Sequence, residues 1–381
     1  MGSLYRGGRQ RGGDPLVVAF VPPAKGSVTA TAYVNAIGTA VPGHEVHRAF
    51  IDWAQARIGE DRARALFRRM AERSGIRHRW SVLPPSPDGG SPVDSGGFYA
   101  GRAPSTGARM AVYKEEAPKL ALQAIAALGA GMLAGITHLI VASCTGFTAP
   151  GIDQIIAAEL ALPGSVERTL VGFMGCYAAV SSLRLAHHVV RSEPDAKVLV
   201  VTVELSSLHL QDDRGVEPLL AQLQFGDGAA AAIVSAEPEG FAIQHPFAAT
   251  LPDSSQLIRW NIGDHGFAME LSGEVPGRIA DALRDPAVRG AMFNGCAPDE
   301  IDAWAVHAGG RSVLDAVEHG LDLPQGALAE SRDVLCRYGN MSSSTLPFVL
   351  RDLLDKPDKR HGIALAFGPG LAAEGFHFRR P

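Results

Sequence analysis

Three polar residues in the sequence have side chains that can do chemistry together: Cys176, His307 and Asn340. Each follows a short apolar run, precedes a segment with helical spacing and has glycine nearby, so each is predicted at a strand-to-helix junction. A cysteine nucleophile needs a base to take its proton, and an imidazole titrates near neutral pH. A carboxamide does not titrate, but its NH₂ group can hold an oxyanion or orient the histidine. The set indicates nucleophilic catalysis by cysteine.

The cysteine lies in the stretch VGFMGCYAA at residues 171–179, which runs into an apolar-periodic segment ending near residue 190. Cys176 is therefore predicted to open a buried helix, where the helix dipole and the unpaired N–H groups favour the thiolate. Other interpretations stay open. A free cysteine is often a small buried apolar residue, His307 is compatible with a core position, and Asn340 is compatible with a simple Asx turn.

Composition limits the classes of function. The chain has 381 residues, with 46% hydrophobic and 20% charged residues, which is ordinary for a globular protein and favours two domains or a duplicated fold. Its net charge is −5 and no basic block follows the first dozen residues, so nucleic acid is not an expected partner. The four cysteines are far apart, no pair has C-x-x-C spacing, and no secretory signal precedes them. These features predict free thiols in a reducing cytoplasm and no metal site.

Apolar runs predict an α/β fold. Residues 138–143, 169–173, 198–203 and 229–234 have the pattern of strands buried on both faces, and helical segments alternate with them. Residues 303–306 and 363–367 repeat the scheme of strand, glycine-rich turn and helix, which suggests two similar halves. Residues 121–142 are apolar, but glycines interrupt them, so a helix followed by a strand is favoured over a membrane span.

The first hundred residues are more varied. A tail is predicted for residues 1–28, then a first strand over residues 29–40 and helical spacing over residues 46–73. The basic residues at the end of that helix and just after it fit either a solvated face or a phosphate-binding surface. Residues 83–107 are rich in proline, glycine and serine and are predicted to form a long surface loop.

Five motifs together resemble the chalcone and stilbene synthase family, the type III polyketide synthases. They are VGFMGCYAA at 171–179, LQFGDGAA at 223–230, WAVHAGG at 304–310, YGNMSS at 338–343 and FGPGL at 367–371. The likeness covers roughly residues 29–378 with the motifs in the right order, and the turn SCTGF at 143–147 resembles the bacterial branch.

The resemblance implies a thiolase-like αβαβα sandwich of two similar halves, residues 29–245 with the cysteine and residues 246–381 with the histidine and asparagine. It also implies a cytoplasmic homodimer that uses acyl-CoA and malonyl-CoA, with no other cofactor. Cys176 would be acylated by the starter. His307 and Asn340 would hold the thioester oxygen of malonyl-CoA while CO₂ leaves, and the resulting enolate would attack the acyl-cysteine thioester. A neutral amide with an imidazole suits this step, because it stabilises the enolate without adding a negative charge.

The same resemblance suggests substrate-binding residues. Phe225 matches the aromatic gatekeeper between the CoA tunnel and the reaction cavity, and Gly309 and Gly310 match a backbone that approaches the pantetheine arm. Arg69 and Arg73 match positions that meet CoA phosphates, although Leu66 stands where a basic residue is expected. The positions expected to line the cavity are Cys144, Thr145, His209, Met269 and Ser342, with Phe267 or Met269 as a second gatekeeper.

Related chemistries are the alternatives. A ketoacyl-ACP synthase of the initiation type shares the Cys, His and Asn set, but usually has Gln-Ala-Asn after the histidine, where this chain has Ala308-Gly309-Gly310. A hydroxymethylglutaryl-CoA synthase would need a catalytic glutamate. A papain-like thioester hydrolase would place its cysteine near the N-terminus, and a non-catalytic scaffold would trap no acyl group. Neither the starter nor the cyclisation follows from the motifs. A long fatty starter giving an alkylpyrone or alkylresorcinol is favoured by the small residues near His209.

Overall fold

The centre of the protein is a nine-stranded mixed sheet, seen in a computed structural model that describes residues 30–381. The tail predicted for residues 1–28 lies outside the described residues. The strands are β1 (Tyr33–Ala40), β2 (His44–Glu45), β3 (Trp80–Ser81), β4 (His138–Ser143), β5 (Glu167–Gly172), β6 (Val198–Leu205), β7 (Asp227–Ser235), β8 (Phe241–Thr250), β9 (Ile258–Gly263), β10 (Gly266–Leu271), β11 (Ala303–Val306), β12 (His361–Gly368) and β13 (Ala372–Arg379).

The large sheet has the order β11-β12-β13-β8-β1-β7-β6-β4-β5, and β2–β3 and β9–β10 form two small two-stranded sheets. The helices are α1 (His47–Arg57), α2 (Asp61–Glu72), α3 (Thr106–Ala126), α4 (Ile152–Glu159), α5 (Ala178–Ser192), α6 (Val216–Gln222), α7 (Val275–Arg284), α8 (Pro286–Phe293), α9 (Arg311–Leu321), α10 (Ala329–Tyr338) and α11 (Thr345–Leu354). The predicted α/β class is confirmed.

The sheet consists of two blocks that share a topology. Strands β1 and β8 join the blocks through only two residue pairs, Tyr33 with Ala242 and Val34 with Phe241. From that seam outward, one block pairs β1, β7, β6 and β4 as antiparallel, antiparallel and parallel neighbours, and the other pairs β8, β13, β12 and β11 in the same way. The predicted boundary at residues 245 and 246 falls inside β8, so the division of the chain into two domains there stays a prediction.

Helices α5 and α11 lie between the two blocks. Their apolar residues share one core with inward-facing residues of both blocks, for example Val200 of β6 and Ala364 of β12. The opposite face of the first block packs on α3, and that of the second packs on α7 and α9. The result is five alternating layers of helix and sheet. The alternate residues of β6 belong to two different cores, which explains why residues 198–201 are all apolar; Thr202 and Glu204 are the polar residues of this strand.

The first block corrects one expectation. Residues 138–143, 198–203 and 229–234 are buried strands as predicted, but β5 is exposed at five of its six residues. The expectation for residues 169–173 was wrong because β5 is the edge strand of the sheet, and its apolar residues face outward.

Two further segments differ in detail from the sequence expectation. The helix expected over residues 46–73 is two helices, α1 and α2, separated at residues 58–60. The apolar residues 121–142 form the end of α3, a turn and β4. Within residues 30–381 no helix is both long and apolar enough to cross a membrane.

Candidate active site

Cys176 lies in a single 3₁₀ turn, Gly175–Tyr177, that follows β5 and leads into α5. Gly175 has φ +75°, and a Cβ atom there would lie 2.5 Å from Cδ of Pro369. Any larger residue would be strained and would collide with the Gly368-Pro369-Gly370 turn at the end of β12. The glycine before the cysteine therefore allows the nucleophile of the first half to sit directly against the second half.

The environment of the thiol differs from the sequence expectation. Cys176 is half-buried, and its Sγ atom lies 3.7 Å from Oγ of Ser342. Burial raises the pKa of the Cys176 thiol to about 12, and the nearby Glu204 carboxylate adds to that rise, while Ser342 and Asn340 act in the opposite direction. The expectation of a favoured thiolate in the free protein was wrong, because the loss of solvent outweighs the effect of the helix start.

His307 follows β11 and is anchored by its main chain, whose N–H donates to the carbonyl of Leu365 at 2.8 Å. The side chain is only 2% exposed, and neither ring nitrogen has a hydrogen-bond partner among the described residues. Burial lowers the pKa of His307 to about 3. At neutral pH the ring in the free protein is therefore a neutral imidazole.

Asn340 connects the other elements of the site. Its main-chain N–H donates to Gln224 at 2.8 Å and its carbonyl accepts from Gly226 at 3.0 Å, which fixes the asparagine beside the turn that carries Phe225. Its side-chain Nδ2 donates to the carbonyl of Gly309 at 3.1 Å, and its Oδ1 accepts from the N–H of Ser342 at 2.8 Å. One carboxamide thus touches both the loop after His307 and the serine next to the thiol.

Phe225 is held by a buried arginine. The Arg79 guanidinium, 4% exposed, donates to the carbonyl of Phe225 at 2.6 Å and to Nδ1 of His47 at 3.0 Å. Burial lowers the pKa of Arg79 to about 10, and the carboxylates of Glu45 and Asp227 oppose that shift. The sequence offered a solvated face or a phosphate surface for this basic run. For Arg79 both expectations were wrong, because the side chain faces the core.

A cavity opens next to these residues and encloses about 1110 Å³ of empty space, its open mouth included. Most of the wall is apolar, and part of it comes from the loop at residues 83–105. Six of the residues predicted to contact substrate line this cavity: Cys144, Thr145, His209, Phe225, Met269 and Ser342. Phe267 also lines it, and its ring stacks on His209 with the centroids 4.1 Å apart.

Two sequence profiles match this chain over almost its whole length. The one described as "Chalcone and stilbene synthases, N-terminal domain" covers residues 24–238, and the one described as "Chalcone and stilbene synthases, C-terminal domain" covers residues 242–380. The chain belongs to the chalcone and stilbene synthase family.

Individual relatives agree with this assignment. An "Alpha-pyrone synthesis polyketide synthase-like Pks18" of Mycobacterium tuberculosis is 32% identical over 377 residues, which covers 95% of this chain and 94% of the relative. A 1,3,6,8-tetrahydroxynaphthalene synthase of Streptomyces peucetius is 33% identical over 355 residues, covering 90% and 91% of the two chains. The crystal structure of PKS-I from the brown alga Ectocarpus siliculosus superimposes with a TM-score of 0.83 at 28% identity, covering 94% of this chain and all of that one.

Membership of this family establishes the class of reaction. The chain is a type III polyketide synthase with a thiolase-like fold, an acyltransferase that condenses and cyclises polyketide chains from acyl-CoA and malonyl-CoA. Enzymes of this family need no cofactor beyond these CoA thioesters.

The predicted catalytic residues Cys176, His307 and Asn340 lie behind the cavity wall and do not line it, although Ser342 and Phe225, which contact Cys176 and Asn340, do. Four of the predicted substrate-binding residues do not line it either. Arg69 and Arg73 are exposed, on α2 and at its C-terminal end. Gly309 lies next to the His307 ring, where a Cβ would be 3.5 Å from the imidazole, and a Cβ on Gly310 would be 2.1 Å from Oε1 of Gln224. The Gln224 side chain is flexible and can move, so packing does not by itself require glycine at position 310. Contact of these four residues with CoA stays a prediction.

The sequence analysis missed Glu204, a carboxylate with no solvent exposure at the end of β6. It accepts hydrogen bonds from the N–H of Cys144 and Oγ1 of Thr145, both at 2.9 Å, and from the hydroxyl of Ser343. Burial raises the pKa of Glu204 to about 7. A glutamate in the otherwise apolar run at residues 198–205 was the available signal, because a carboxylate on a buried strand must find hydrogen-bond donors.

Cys144 has a structural contact of its own. The N–H of Gly175 donates to its Sγ at 2.9 Å, so this buried thiol supports the residue directly before Cys176. Burial and the charge of Glu204 raise the pKa of Cys144 well above its usual range. Of the two cysteines at the site, Cys176 is the half-buried one and Cys144 belongs to the wall.

Proposed function

We propose that Cys176 carries the acyl chain during synthesis and that His307 and Asn340 activate malonyl-CoA. The observation that supports this most is the link made by Asn340, whose carboxamide contacts the loop after His307 on one side and Ser342, beside the thiol, on the other. These residues are far apart in the sequence. Cys176 contacts Ser342 and Asn340 is paired with Phe225, and both of these neighbours line the cavity, which supports placing a thioester on Cys176 at its edge.

Loading of the starter begins with a thiol and a neutral imidazole. As the sulfur of Cys176 attacks the carbonyl carbon of an acyl-CoA, the thiol proton passes to His307, and CoA leaves as the thiol after it takes up a proton. A neutral histidine suits this role because its unprotonated nitrogen can accept the proton. In the free protein the high pKa of the Cys176 thiol and the low pKa of His307 both oppose this transfer, so the proposal requires substrate binding to lower the first pKa and raise the second.

Extension uses the same two polar side chains differently. The thioester oxygen of malonyl-CoA lies between His307 and Asn340, which donate hydrogen bonds as CO₂ leaves and negative charge moves onto that oxygen. The enolate carbon then attacks the acyl-cysteine carbonyl and expels the Cys176 thiolate, so the extended chain is transferred to CoA. A carboxylate at position 340 would repel the charge that develops.

Phe225 is proposed to separate the CoA entrance from the cavity, because its turn is paired with Asn340 and held from behind by Arg79. Gly309 and Gly310 are proposed to meet the pantetheine arm and Arg69 and Arg73 the CoA phosphates. The two arginines are exposed, which leaves their guanidinium groups available to phosphate oxygens.

The apolar wall of the cavity supports the predicted long fatty acyl starter. An alkylpyrone is the favoured product, since one relative is described as an alpha-pyrone synthesis enzyme, and an alkylresorcinol is the second candidate. Both products would form from the same linear intermediate by different ring closures.

A homodimer is proposed from the exposed edge of the sheet. Phe147, Leu170 and Phe173 are 64%, 43% and 47% exposed, and they lie on or next to β5 and the turn after the neighbouring β4. An edge strand with exposed apolar side chains suits pairing with a second copy of the chain. A cytoplasmic location is proposed because all four cysteines are free thiols.

The test is product analysis by mass spectrometry with a panel of acyl-CoA starters and isotopically labelled malonyl-CoA. The expected result is a pyrone or resorcinol that contains the starter and several labelled two-carbon units, with one CO₂ released for each extension. Release of CoA without CO₂ would identify a hydrolase and overturn the proposal. A requirement for a starter bound to acyl carrier protein would identify a ketoacyl-ACP synthase.

A matched pair of variants tests the cavity. Cys144→Phe adds volume to the wall, whereas Cys144→Ser keeps the size of the side chain and its ability to accept the Gly175 N–H. The phenylalanine variant should give shorter products than the serine variant from the same starter. Identical product lengths in the two variants would remove Cys144 from the cavity wall.

A further inference from the structure

A second group of reactive side chains lies in the second half of the chain: Cys296, His361 and His377. One ligand atom from each, the cysteine sulfur and two ring nitrogens, lies within 4.8 Å of the other two. His361 begins β12 and His377 is on the neighbouring strand β13, while Cys296 follows α8. Strand β12 ends beside the Cys176 turn, so the group is about 20 Å from the active site at the other end of the strand.

The ring of His377 is oriented as in a metal ligand. Its Nε2 lies 2.7 Å from the carbonyl oxygen of Met292, which only accepts hydrogen bonds, so Nε2 carries the proton. In the neutral ring the lone pair of Nδ1 then points the other way, towards His361. A histidine that donates one N–H to a main-chain carbonyl and offers the other nitrogen is the usual arrangement around bound metal ions.

The spacing of the two imidazoles also suits a shared ion. Nε2 of His361 lies 3.1 Å from Nδ1 of His377. Two nitrogen ligands at about 2.0–2.1 Å from a tetrahedral zinc ion are separated by about 3.3 Å, so both rings can bind one ion with little movement. The two residues are 6% and 0% exposed, and the surrounding strands hold both backbones in register.

Cys296 provides the third ligand from a turn of fixed shape. Asn294 and Gly295 have φ values of +49° and +82°, and the N–H of Cys296 donates to the carbonyl of Phe293 at 2.9 Å. The cysteine is half-buried, so an ion can reach its sulfur from solvent. The ring of His245 lies edge-on to His377 with the centroids 5.5 Å apart, but its Nδ1 lies 2.8 Å from Nδ2 of Asn294, so water would be the fourth ligand.

The surrounding charges are compatible with a divalent ion. Nη2 of Arg379 lies 3.4 Å from Nδ1 of His361, on the side of the ring away from His377. The carboxylate of Asp302 accepts from the main-chain N–H of His361 at 3.1 Å and offsets that positive charge. On binding, Cys296 releases its thiol proton to solvent, and the proton of His361 moves from Nε2 to Nδ1. The Arg379 guanidinium, which can only donate, must then turn away from Nδ1.

We propose that Cys296, His361 and His377 form a binding site for a divalent transition-metal ion of the zinc class, separate from the polyketide synthase site. A ligand set of one thiolate and two imidazoles selects zinc over magnesium or calcium. The ion takes no part in condensation. It joins the turn after α8 to strands β12 and β13 and stabilises the second half of the chain. The sequence analysis predicted no metal site because the three ligands come from separate segments without a spacing motif.

The test is titration of the reduced, metal-free full chain with Co²⁺, followed by absorption spectroscopy. The expected result is one equivalent of bound cobalt, a thiolate-to-cobalt charge-transfer band in the near ultraviolet, and loss of that band when Zn²⁺ is added. Absence of the band with stoichiometric cobalt would overturn the proposal, as would the same band in Cys296→Ser.

Variants of the proposed ligands show whether a loss of metal binding comes from the missing ligand or from a general effect on folding. Cys296→Ser should weaken zinc binding by about tenfold or more, whereas Cys336→Ser, which changes another half-buried free cysteine, should not. Cys296→His should lose the charge-transfer band but keep zinc binding, because imidazole replaces thiolate. His377→Gln is the second ligand variant, and its circular dichroism spectrum reports whether it folds. The readout is metal binding, so these results do not depend on whether the polyketide proposal is correct.

Discussion

The large sheet ends in two edge strands, and each leads to a member of the predicted catalytic set. Strand β5 precedes Cys176 and β11 precedes His307, yet β11 is buried at all four of its residues and β5 is exposed at five of six. Helices α10 and α11 pack against β11, while within residues 30–381 only α4 packs against β5. The difference shows that the histidine side is complete within one chain. The cysteine side has an apolar edge that suits a second chain.

The same contrast extends to the side chains. His307 is 2% exposed and has no hydrogen-bond partner among the described residues for its ring, whereas Cys176 is half-buried beside Ser342. A buried neutral imidazole and a partly accessible thiol are suited to different steps of the reaction. In the proposed mechanism the thiol would meet the incoming acyl group, and the imidazole with Asn340 would stabilise charge where water is excluded.

The largest effect on activity is expected from substitutions of the buried residues His307 and Asn340. In Asn340→Asp the new carboxylate repels the enolate, and in His307→Gln the base and ring donor are lost. Malonyl-CoA decarboxylation should fall by about 100-fold or more in each, in line with the removal of a donor to an oxyanion. The measurement is release of labelled CO₂ from malonyl-CoA.

Asn340→Ala provides the comparison for Asn340→Asp. Because alanine removes the donor without adding charge, the aspartate variant should be the slower of the two. Normal decarboxylation in Asn340→Asp would remove this residue from the extension step.

The second largest effect is expected on dimerisation, from substitutions on and next to the exposed edge strand β5. Leu170→Glu combined with Phe147→Glu should weaken the dimer by about tenfold or more, because two apolar side chains at an interface are replaced by charges. Sedimentation or light scattering over a range of concentrations measures this. The control is Ile262→Glu, an equally exposed apolar residue on β9. A monomeric wild type, or equal dimerisation of both variants, would show that a second chain does not cover β5.

The smallest effect concerns the pH dependence of stability around Glu204. Its pKa is about 7 in the folded chain against an ordinary value of 4.5, so the folded state holds this proton more tightly than the unfolded state. The contribution to stability is complete below pH 4.5 and is lost as the pH rises to about 7, amounting to about 3 kcal/mol at most.

Denaturant unfolding at pH 5 and pH 8 tests this sign. Wild type should lose more stability between the two values than Glu204→Gln, which cannot titrate. Glu217→Gln, at an exposed position on α6, is the matched control and should behave as wild type does. An unchanged pH dependence in Glu204→Gln would assign the titration to another group.

Much of the layout was predictable because local pattern and burial agree. Residues 303–306 were predicted as a strand with the bounds that the structure has. The apolar runs at residues 139–142 of β4 and 198–201 of β6 identified strands buried on both faces. Glycines in the sequence marked the turns between strands and helices. In the structure these turns place Cys176, Asn340 and the loop after His307 in one region.

The errors arise where the neighbours are distant in sequence. The run at 169–173 is as apolar as that of β4, and only the position of β5 at the edge of the sheet makes it exposed. Arg79 is buried because its partners lie in the turn at residues 222–225. Glu204 is buried because Cys144, Thr145 and Ser343 supply donors from two other segments. The thiol pKa follows from burial, which local sequence does not report.

The most direct test of the account is the site of acylation. Wild type is incubated with a long-chain acyl-CoA without malonyl-CoA, and peptide mass spectrometry locates the acyl group, with Cys176→Ala and Cys336→Ala treated in parallel. The account predicts one acyl group on Cys176 in wild type and in Cys336→Ala, and none in Cys176→Ala. An acyl group on another cysteine, or polyketide made by Cys176→Ala, would contradict it.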